Sequence, residues 1–315
     1  MKVAVVGNGH VGLTVFRELQ AFREIHELVL VGRHAEACQA EAEDYMDAIP
    51  LRIDKIGLVW GGGYELAEGA DIIVYCAGPS LSKVEDRMVI ADENIRIVKE
   101  VFAEIDKYAP DAIVVAVSNP LDVVTTAITN FTGRPSNRVI GTGTLLDTAR
   151  MIKIISWAFQ VPVQNVGGFV LGEHGASSVV IGSNISIMNM HINEYLNLEC
   201  DGKLPITDEV LTDDVRDAGF KIFRGKGYTS AGVAAAAARI VFDIANDTRE
   251  IIPVSTVLHG EYGVDGYAMS VPCMIGCDGV MGIKSLKMDE TETEDLKKSA
   301  EIVRKACEDA GVVME

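Results

Sequence analysis

The chain has 315 residues, 48% of them hydrophobic, and carries 28 basic against 46 acidic residues for a formal charge of −18. That length suits one large or two medium domains with sizeable cores, and an acidic surplus spread along the chain repels nucleic acid and anionic membrane, so any anion site must gather its own positive charge. Met1 to Gly7 lacks the features of a signal peptide, no apolar run is long enough to span a bilayer, and the six cysteines (Cys38, Cys76, Cys200, Cys273, Cys277, Cys307) are dispersed as reduced thiols are, so a cytoplasmic protein is expected.

Val3 to Val6 reads as a short apolar strand. It leads into Gly7-Asn8-Gly9-His10-Val11-Gly12 and a helix whose Val11, Val15, Leu19 and Phe22 mark one buried stripe. Strand, Gly-x-Gly-x-x-Gly and helix in that order make a dinucleotide-binding unit. The glycines allow a tight turn and close approach to a pyrophosphate, and the helix start supplies free N–H groups. Gly7, Gly9 and Gly12 are therefore candidate cofactor-binding residues. The next strand, Glu27 to Val31, ends where an NAD enzyme carries an acid for the ribose hydroxyls. Here stand Gly32, Arg33 and His34. Without the carboxylate a 2′-phosphate is no longer repelled, and Arg33 can pair with it, so the reading leans to NADP or dual use. The alternative is an exposed turn with incidental basic residues and NAD as cofactor.

Strands and helices keep alternating: Asp71 to Ala77, a helix from about Asn94 with Ile95, Val98, Phe102 and Ile105 inside, Ala112 to Val117, a helix near Val123 to Asn130, and Arg138 to Gly141. Nearly continuous apolar strands separated by helices predict a doubly wound parallel sheet of the Rossmann type over residues 1–143. An α+β substrate domain over 144–315 follows. Between Gly78 and Asn94 a polar stretch leaves the C-terminal end of a strand, where ligands bind in such sheets.

After Thr144, Leu146, Ala149, Ile152 and Ile155 recur at three-residue steps, a helical pattern that puts Asp147 and Arg150 at neighbouring positions on one face. His174 follows Val166 to Gly172, a Gly-bounded apolar segment that reads as a strand ending in a loop. An imidazole brought to Asp147 has its tautomer fixed and its second nitrogen left for proton exchange. Arg150 offers a planar fork matched to a carboxylate. The plain alternative is an ordinary helical ion pair beside a satisfied loop histidine.

Further on, Val179 to Ile185 reads as a strand and Asn197 to Pro205 as a polar link. Helices are expected near Asp208 to Phe223 and over Ala231 to Ile244, the latter with Ala234 to Ala238 small enough for close packing on the first domain or a partner subunit. Ile251 to Val257 and Tyr267 to Gly276 suggest antiparallel strands. Asp289 to Ala310 reads as an acidic amphipathic helix with a solvated outer face. Cys273 and Cys277 lack a matching second pair, so no metal site is expected.

Two stretches, Val139-Ile140-Gly141-Thr142-Gly143-Thr144-Leu145-Leu146-Asp147-Thr148-Ala149-Arg150 and Leu171-Gly172-Glu173-His174-Gly175, resemble the signature of the L-lactate/malate dehydrogenase superfamily. Within it the run most resembles L-2-hydroxyisocaproate and L-lactate dehydrogenases, and the resemblance extends over nearly the whole chain. It implies that His174 is the acid–base catalyst oriented by Asp147, and that Arg150 grips the substrate carboxylate. It makes Arg87 the arginine of a mobile lid that polarises the substrate carbonyl. Asn119, in Ser118-Asn119-Pro120, matches an asparagine near the nicotinamide ribose and the reacting oxygen, although a turn or helix cap is an equal use for it. Thr229, in Gly-Tyr-Thr-Ser, matches a pocket-lining threonine, although alone it reads equally as an N-cap. Leu81 falls where malate enzymes present arginine and lactate enzymes glutamine; an apolar residue there cannot pair a second carboxylate and favours a hydrocarbon side chain. Ala176 stands where lactate enzymes commonly have aspartate, leaving open what supports His174 from behind.

The implied function is reversible hydride transfer between NAD or NADP and an L-2-hydroxy/2-oxo acid with an apolar side chain, in the lactate to 2-hydroxyisocaproate range, by a homodimer or homotetramer. Competing readings are a malate dehydrogenase, a non-catalytic dinucleotide sensor, and an NAD-dependent glycosidase, which relies on a metal.

Overall fold

The computed structural model describes residues 1–51, 57–79, 87–199, 202 and 206–312, with the side chains of 87–91 outside that description. The first half runs β1 (Lys2–Val6), α1 (His10–Leu19), β2 (Glu27–Val31), α2 (Ala35–Ala48), β3 (Leu58–Gly62), β4 (Ile72–Tyr75), α3 (Arg87–Ile105), β5 (Ile113–Ala116), α4 (Leu121–Thr132) and β6 (Val139–Gly141). These six strands are parallel and lie in the order β3-β2-β1-β4-β5-β6, the doubly wound Rossmann arrangement, with its switch point between β1 and β4. Val3 to Val6, Ile72 to Tyr75 and Ile113 to Ala116 are all buried, as strands covered by helices on both faces must be.

The second half begins with α5 (Leu145–Phe159) and the short strands β7 (Val166–Gly167), β8 (Val170–Leu171), β9 (Val179–Val180), β10 (Ser186–Ile187) and β11 (Met190–His191). It continues with α6 (Ile192–Glu199), α7 (Asp208–Lys226), α8 (Ala231–Asn246), β12 (Glu250–His259), β13 (Asp265–Gly276), β14 (Gly279–Ile283) and α9 (Glu290–Asp309). The antiparallel pair expected between Ile251 and Gly276 is present as β12 and β13. Beyond that expectation, β12 pairs with β6 at Ser255 and Gly141, so β12, β13 and β14 extend the parallel sheet to nine strands among the described residues.

Several elements differ from the sequence reading for identifiable reasons. On α2 only Cys38 and Ala42 are buried, too sparse an apolar pattern to announce a helix. The expected strand Val166 to Gly172 is two strands in different sheets, broken at Gly168 (φ +153), where an added Cβ would lie 2.8 Å from Met151 Cε. On α5 the buried residues are Asp147, Thr148, Met151, Ile155 and Ser156, whereas Ala149 is exposed and Leu146 and Ile152 are half-buried. Steps of three residues drift around a helix of 3.6 residues per turn, so the apolar repeat marks the inner face poorly. The solvated outer face expected of α9 is only half its story: Leu296, Ser299, Ala300, Val303 and Cys307 are buried. Its start is fixed by a capping box of Asp289 and Glu292.

Candidate active site

At the C-terminal end of β1 the three glycines do different work. A Cβ on Gly12 would lie 1.9 Å from Gly7 O, and one on Gly7, which adopts φ +104, would lie 3.0 Å from the Ala77 nitrogen of the chain leaving β4. At Gly9 no described residue stands within 4 Å of the Cβ position. This glycine N-caps α1 in an extended conformation without a side-chain cap, so no capping side chain occupies the first-turn N–H groups of α1. This cradle fits the pyrophosphate of a dinucleotide in shape and polarity. At the end of β2, Gly32 is buried, with its Cβ position 3.1 Å from Cys38 Sγ, and Arg33 is exposed.

The ends of β4 and β5 are tied together next to the cradle. Ser118 Oγ donates to Ala77 O (2.6 Å) and Asn94 Nδ2 donates to Asn119 O (2.8 Å), leaving the Asn119 side chain exposed at the rim. The residue that N-caps α4 is Pro120, not Asn119. Likewise Ser230, not Thr229, N-caps α8, and Thr229 is half-buried beside it. Next to Thr229, the Tyr228 ring stacks on His10 of the glycine loop, with centroids 3.9 Å apart and planes at 9°, while Lys226 Nζ lies 4.2 Å from the Tyr228 centroid. This stack joins the glycine loop to the loop before α8.

His174 and Asp147 come from distant parts of the chain, and β8 brings them together. Val170 N donates to Thr148 Oγ1 (2.9 Å) and Thr144 Oγ1 donates to Val170 O, which binds β8 to the first turn of α5. The loop then turns at Gly172 (φ +92), held to β13 by paired backbone bonds with Ser270. Gly172 has no room for a side chain, because its Cβ would lie 2.5 Å from Ser299 Oγ of α9. That hydroxyl accepts from Glu173 N (2.8 Å), and Glu173 Oε2 accepts from both the backbone and the hydroxyl of Ser177.

Within this frame His174 Nδ1 lies 2.8 Å from Asp147 Oδ2, and Arg150 Nη1 donates to Asp147 Oδ1 at 2.8 Å. One carboxylate thus divides its oxygens between a ring and a guanidinium. Side-chain exposures of 7% for Asp147, 12% for Arg150 and 20% for His174 leave the imidazole as the most open of the three. Burial alone pushes the Asp147 pKa up, but the charges and hydrogen bonds of His174 and Arg150 outweigh it and hold the carboxyl below its ordinary range. Burial likewise works against the imidazolium, yet Asp147, by charge and hydrogen bond, and Asp122, by charge, raise the His174 pKa above its ordinary value.

Asp122, on the first turn of α4, escaped the sequence reading. An acid there looks like an ordinary companion of a helix N-terminus. Its partners come from far along the chain: Oδ2 accepts from His174 N (2.9 Å) and Oδ1 from Ser255 Oγ on β12 (2.6 Å). Only that tertiary meeting reveals it. Ser299 and Glu173 were missed for the same reason. Leu81 and the side chain of Arg87 lie outside the described residues; the Arg87 backbone opens α3. Cys273 is buried and Cys277 exposed, both free, and among the described residues no group of three or more His, Cys, Asp or Glu is arranged to hold a metal ion.

A doubly wound sheet with a glycine-lined anion cradle at its switch point, and a histidine–carboxylate pair beside it, defines a dinucleotide-dependent oxidoreductase architecture. The likeness to known proteins is specific. Residues 1–141 match the lactate/malate dehydrogenase NAD binding domain and residues 144–312 the lactate/malate dehydrogenase alpha/beta C-terminal domain, so the chain belongs to the lactate/malate dehydrogenase family. L-lactate dehydrogenase 2 of Clostridium acetobutylicum is 38% identical over 302 residues, 95% of this chain and 94% of that one. An L-lactate dehydrogenase of Clostridium botulinum is 33% identical over 98% of this chain and 96% of its own. Among solved structures, a lactate dehydrogenase from a Medee basin deep-sea metagenome library superposes with a TM-score of 0.93 at 31% identity, covering 98% of both chains. The minor L-lactate dehydrogenase of Enterococcus mundtii superposes with a TM-score of 0.90 at 32% identity, covering 98% of this chain and 97% of its own. Membership makes the chain a nicotinamide-dependent dehydrogenase of the 2-hydroxy-acid class.

Proposed function

We propose that the protein interconverts an L-2-hydroxy acid and its 2-oxo acid, with an apolar side chain from the size of lactate to that of 2-hydroxyisocaproate. The observation that carries this reading is the sharing of Asp147 between His174 and Arg150. With Nδ1 held by the carboxylate, His174 presents Nε2 to the pocket. In reduction the imidazolium gives its Nε2 proton to the carbonyl oxygen and becomes neutral; in oxidation the neutral ring takes that proton back. Asp147 keeps the ring oriented in both states and supports the charged one. Arg150 spends one N–H on Asp147 and keeps the rest of its fork for the substrate carboxylate. Gly7, Gly9 and Gly12 would hold the pyrophosphate of a nicotinamide dinucleotide, which would supply or accept the hydride at C2. Arg87 supports the carbonyl's developing charge, Asn119 and Thr229 border the reacting end of the pocket, and Leu81 selects against a second carboxylate.

The cofactor reading extends to NADP. Gly32 and Arg33 replace the ribose-binding acid, and an exposed arginine at that place favours NADPH or use of both cofactors. We place the boundary between the dinucleotide and substrate domains at 143/144. The protein is read as cytoplasmic, on the five free cysteines among the described residues. It is read as a homodimer or homotetramer because Phe220, Ile222 and Phe223 on α7 remain open on the single chain; sedimentation checks the last point. Among the described residues no helix is long and apolar enough to cross a membrane.

An absorbance assay pairing NADH or NADPH with pyruvate, 2-oxoisocaproate and oxaloacetate tests the substrate and cofactor together. Turnover of the monocarboxylic 2-oxo acids over oxaloacetate is expected, and preference for oxaloacetate would make the protein a malate dehydrogenase instead. His174→Asn should abolish turnover while dinucleotide binding persists; unchanged turnover removes His174 from the reaction. Arg150→Lys should chiefly raise KM, since a point charge replaces a fork.

A further inference from the structure

Behind His174 stands a second carboxylate that the mechanism above does not use. Asp122 is 4% exposed, and its two oxygens face different partners: one takes the backbone N–H of His174, the other the hydroxyl of Ser255. The arrangement spans three elements, α4, β12 and the loop after β8, and crosses from the dinucleotide half of the chain to the substrate half. We propose that Asp122 is a positioning residue for His174, pegging its backbone beneath the pocket and supporting its imidazolium by charge, with Ser255 holding the carboxylate in place.

The geometry makes a purely local role insufficient. An acid on the first turn of α4 can serve the helix N-terminus from solvent, at no desolvation cost. This one is instead withdrawn from water, and both donors that compensate it come from other elements. Among the described residues the charged and titratable groups around the pair are few. From the loop they are His174 and Glu173, of which Glu173 repels Asp122; from α5 they are Asp147 and Arg150 at the ring; from α9 it is the Cys307 thiol, whose pKa is raised by burial and, in smaller part, by Asp122. His174 is thus the cation nearest in effect to Asp122, and the ring lies under the influence of two carboxylates rather than one. Burial also pushes the Asp122 carboxyl up to about 6, so its charge is gained just below neutrality.

The substitution Asp122→Asn keeps an acceptor for His174 N and removes the charge. Ring titration of His174, followed by NMR on histidine-labelled protein without ligands, should show its pKa lowered by on the order of one pH unit. In the wild-type chain the same ring signal should carry a second inflection near pH 6, as Asp122 titrates, that the variant lacks. A His174 titration unchanged in the variant, or a wild-type curve with one inflection, overturns the proposal; should the variant not fold, the wild-type curve decides alone. The activity arm rests on the dehydrogenase reading, whereas the titration does not. For 2-oxo-acid reduction the alkaline limb of kcat/KM should move down with the ring in Asp122→Asn, while Asp122→Ala loses kcat about tenfold at every pH and Asn restores most of it at pH 6. An alkaline limb that stays where it is in Asp122→Asn means that Asp122 is a peg without electrostatic effect, which refutes the charge half of the proposal.

Discussion

His174 and Asp147 shift each other in opposite directions, and the signs fix where their pairing stabilises the fold. The raised histidine contributes fully below its unfolded value of about 6.5 and loses its contribution as pH rises through the higher folded value. The lowered aspartate contributes above its ordinary value of about 4 and loses it as pH falls through the folded one. Their window is therefore mildly acidic, and on the proposed mechanism the alkaline limb of 2-oxo-acid reduction should lie above the ordinary imidazole value. Asp147→Asn should pull the alkaline limb of kcat/KM downward. Asp122 has the sign opposite to Asp147. A carboxyl raised from 3.8 to about 6 favours the fold most at low pH and costs on the order of 3 kcal/mol once ionised. Urea unfolding of Asp122→Asn against the wild-type chain should show the variant gaining relative stability between pH 4 and pH 7. A constant difference would mean that Asp122 titrates alike in the folded and unfolded chains.

At the scale of elements, α9 is a structural clamp for the histidine loop. Ser299 is fully buried, receives Glu173 N, and sits where Gly172 lacks a side chain. Ser299→Ala strands that backbone donor, so a loss of about 1–3 kcal/mol in unfolding free energy and a lower kcat with unchanged dinucleotide affinity are expected. Normal kcat would show that the loop holds its shape without α9. The same helix marks the limit of what its sequence discloses. Leu296, Ala300 and Val303 announce an amphipathic stripe, but the serine among them looks incidental until the loop it serves is in place. The parallel strands were legible because burial on both faces leaves unbroken apolar runs such as Val3 to Val6. By contrast α2 and β3 hid behind mixed polarity, and the break at Gly168 hid because a glycine in an apolar run does not reveal its φ. Helical spacing put Asp147 and Arg150 side by side, but their roles and that of His174 came from the resemblance of their motifs. Asp122 and Ser255 are 133 residues apart and touch only after folding.

At the scale of the molecule, the two family segments share one sheet. Gly141 of β6 pairs with Ser255 of β12, and Gly143 (φ +55) leaves β6 where a Cβ would lie 2.7 Å from both Ser255 N and Ser270 Oγ. A joint so close-packed should make the halves melt together, giving a single calorimetric transition with equal van't Hoff and calorimetric enthalpies. Two resolved transitions would show that the shared sheet does not couple them.

That joint also sets a timetable for the newborn polypeptide. The ribosome must add roughly 114 more residues after Gly141 before Ser255 exists, which at 5–20 residues per second takes about 6–23 s. Throughout that interval the outer rim of β6 has nothing to bond with, and a bare strand rim recruits whichever strand arrives first. Chaperone occupancy on translating ribosomes should accordingly rise once the sixth strand has emerged and fall when the twelfth docks, a rhythm dictated by the place of a single serine.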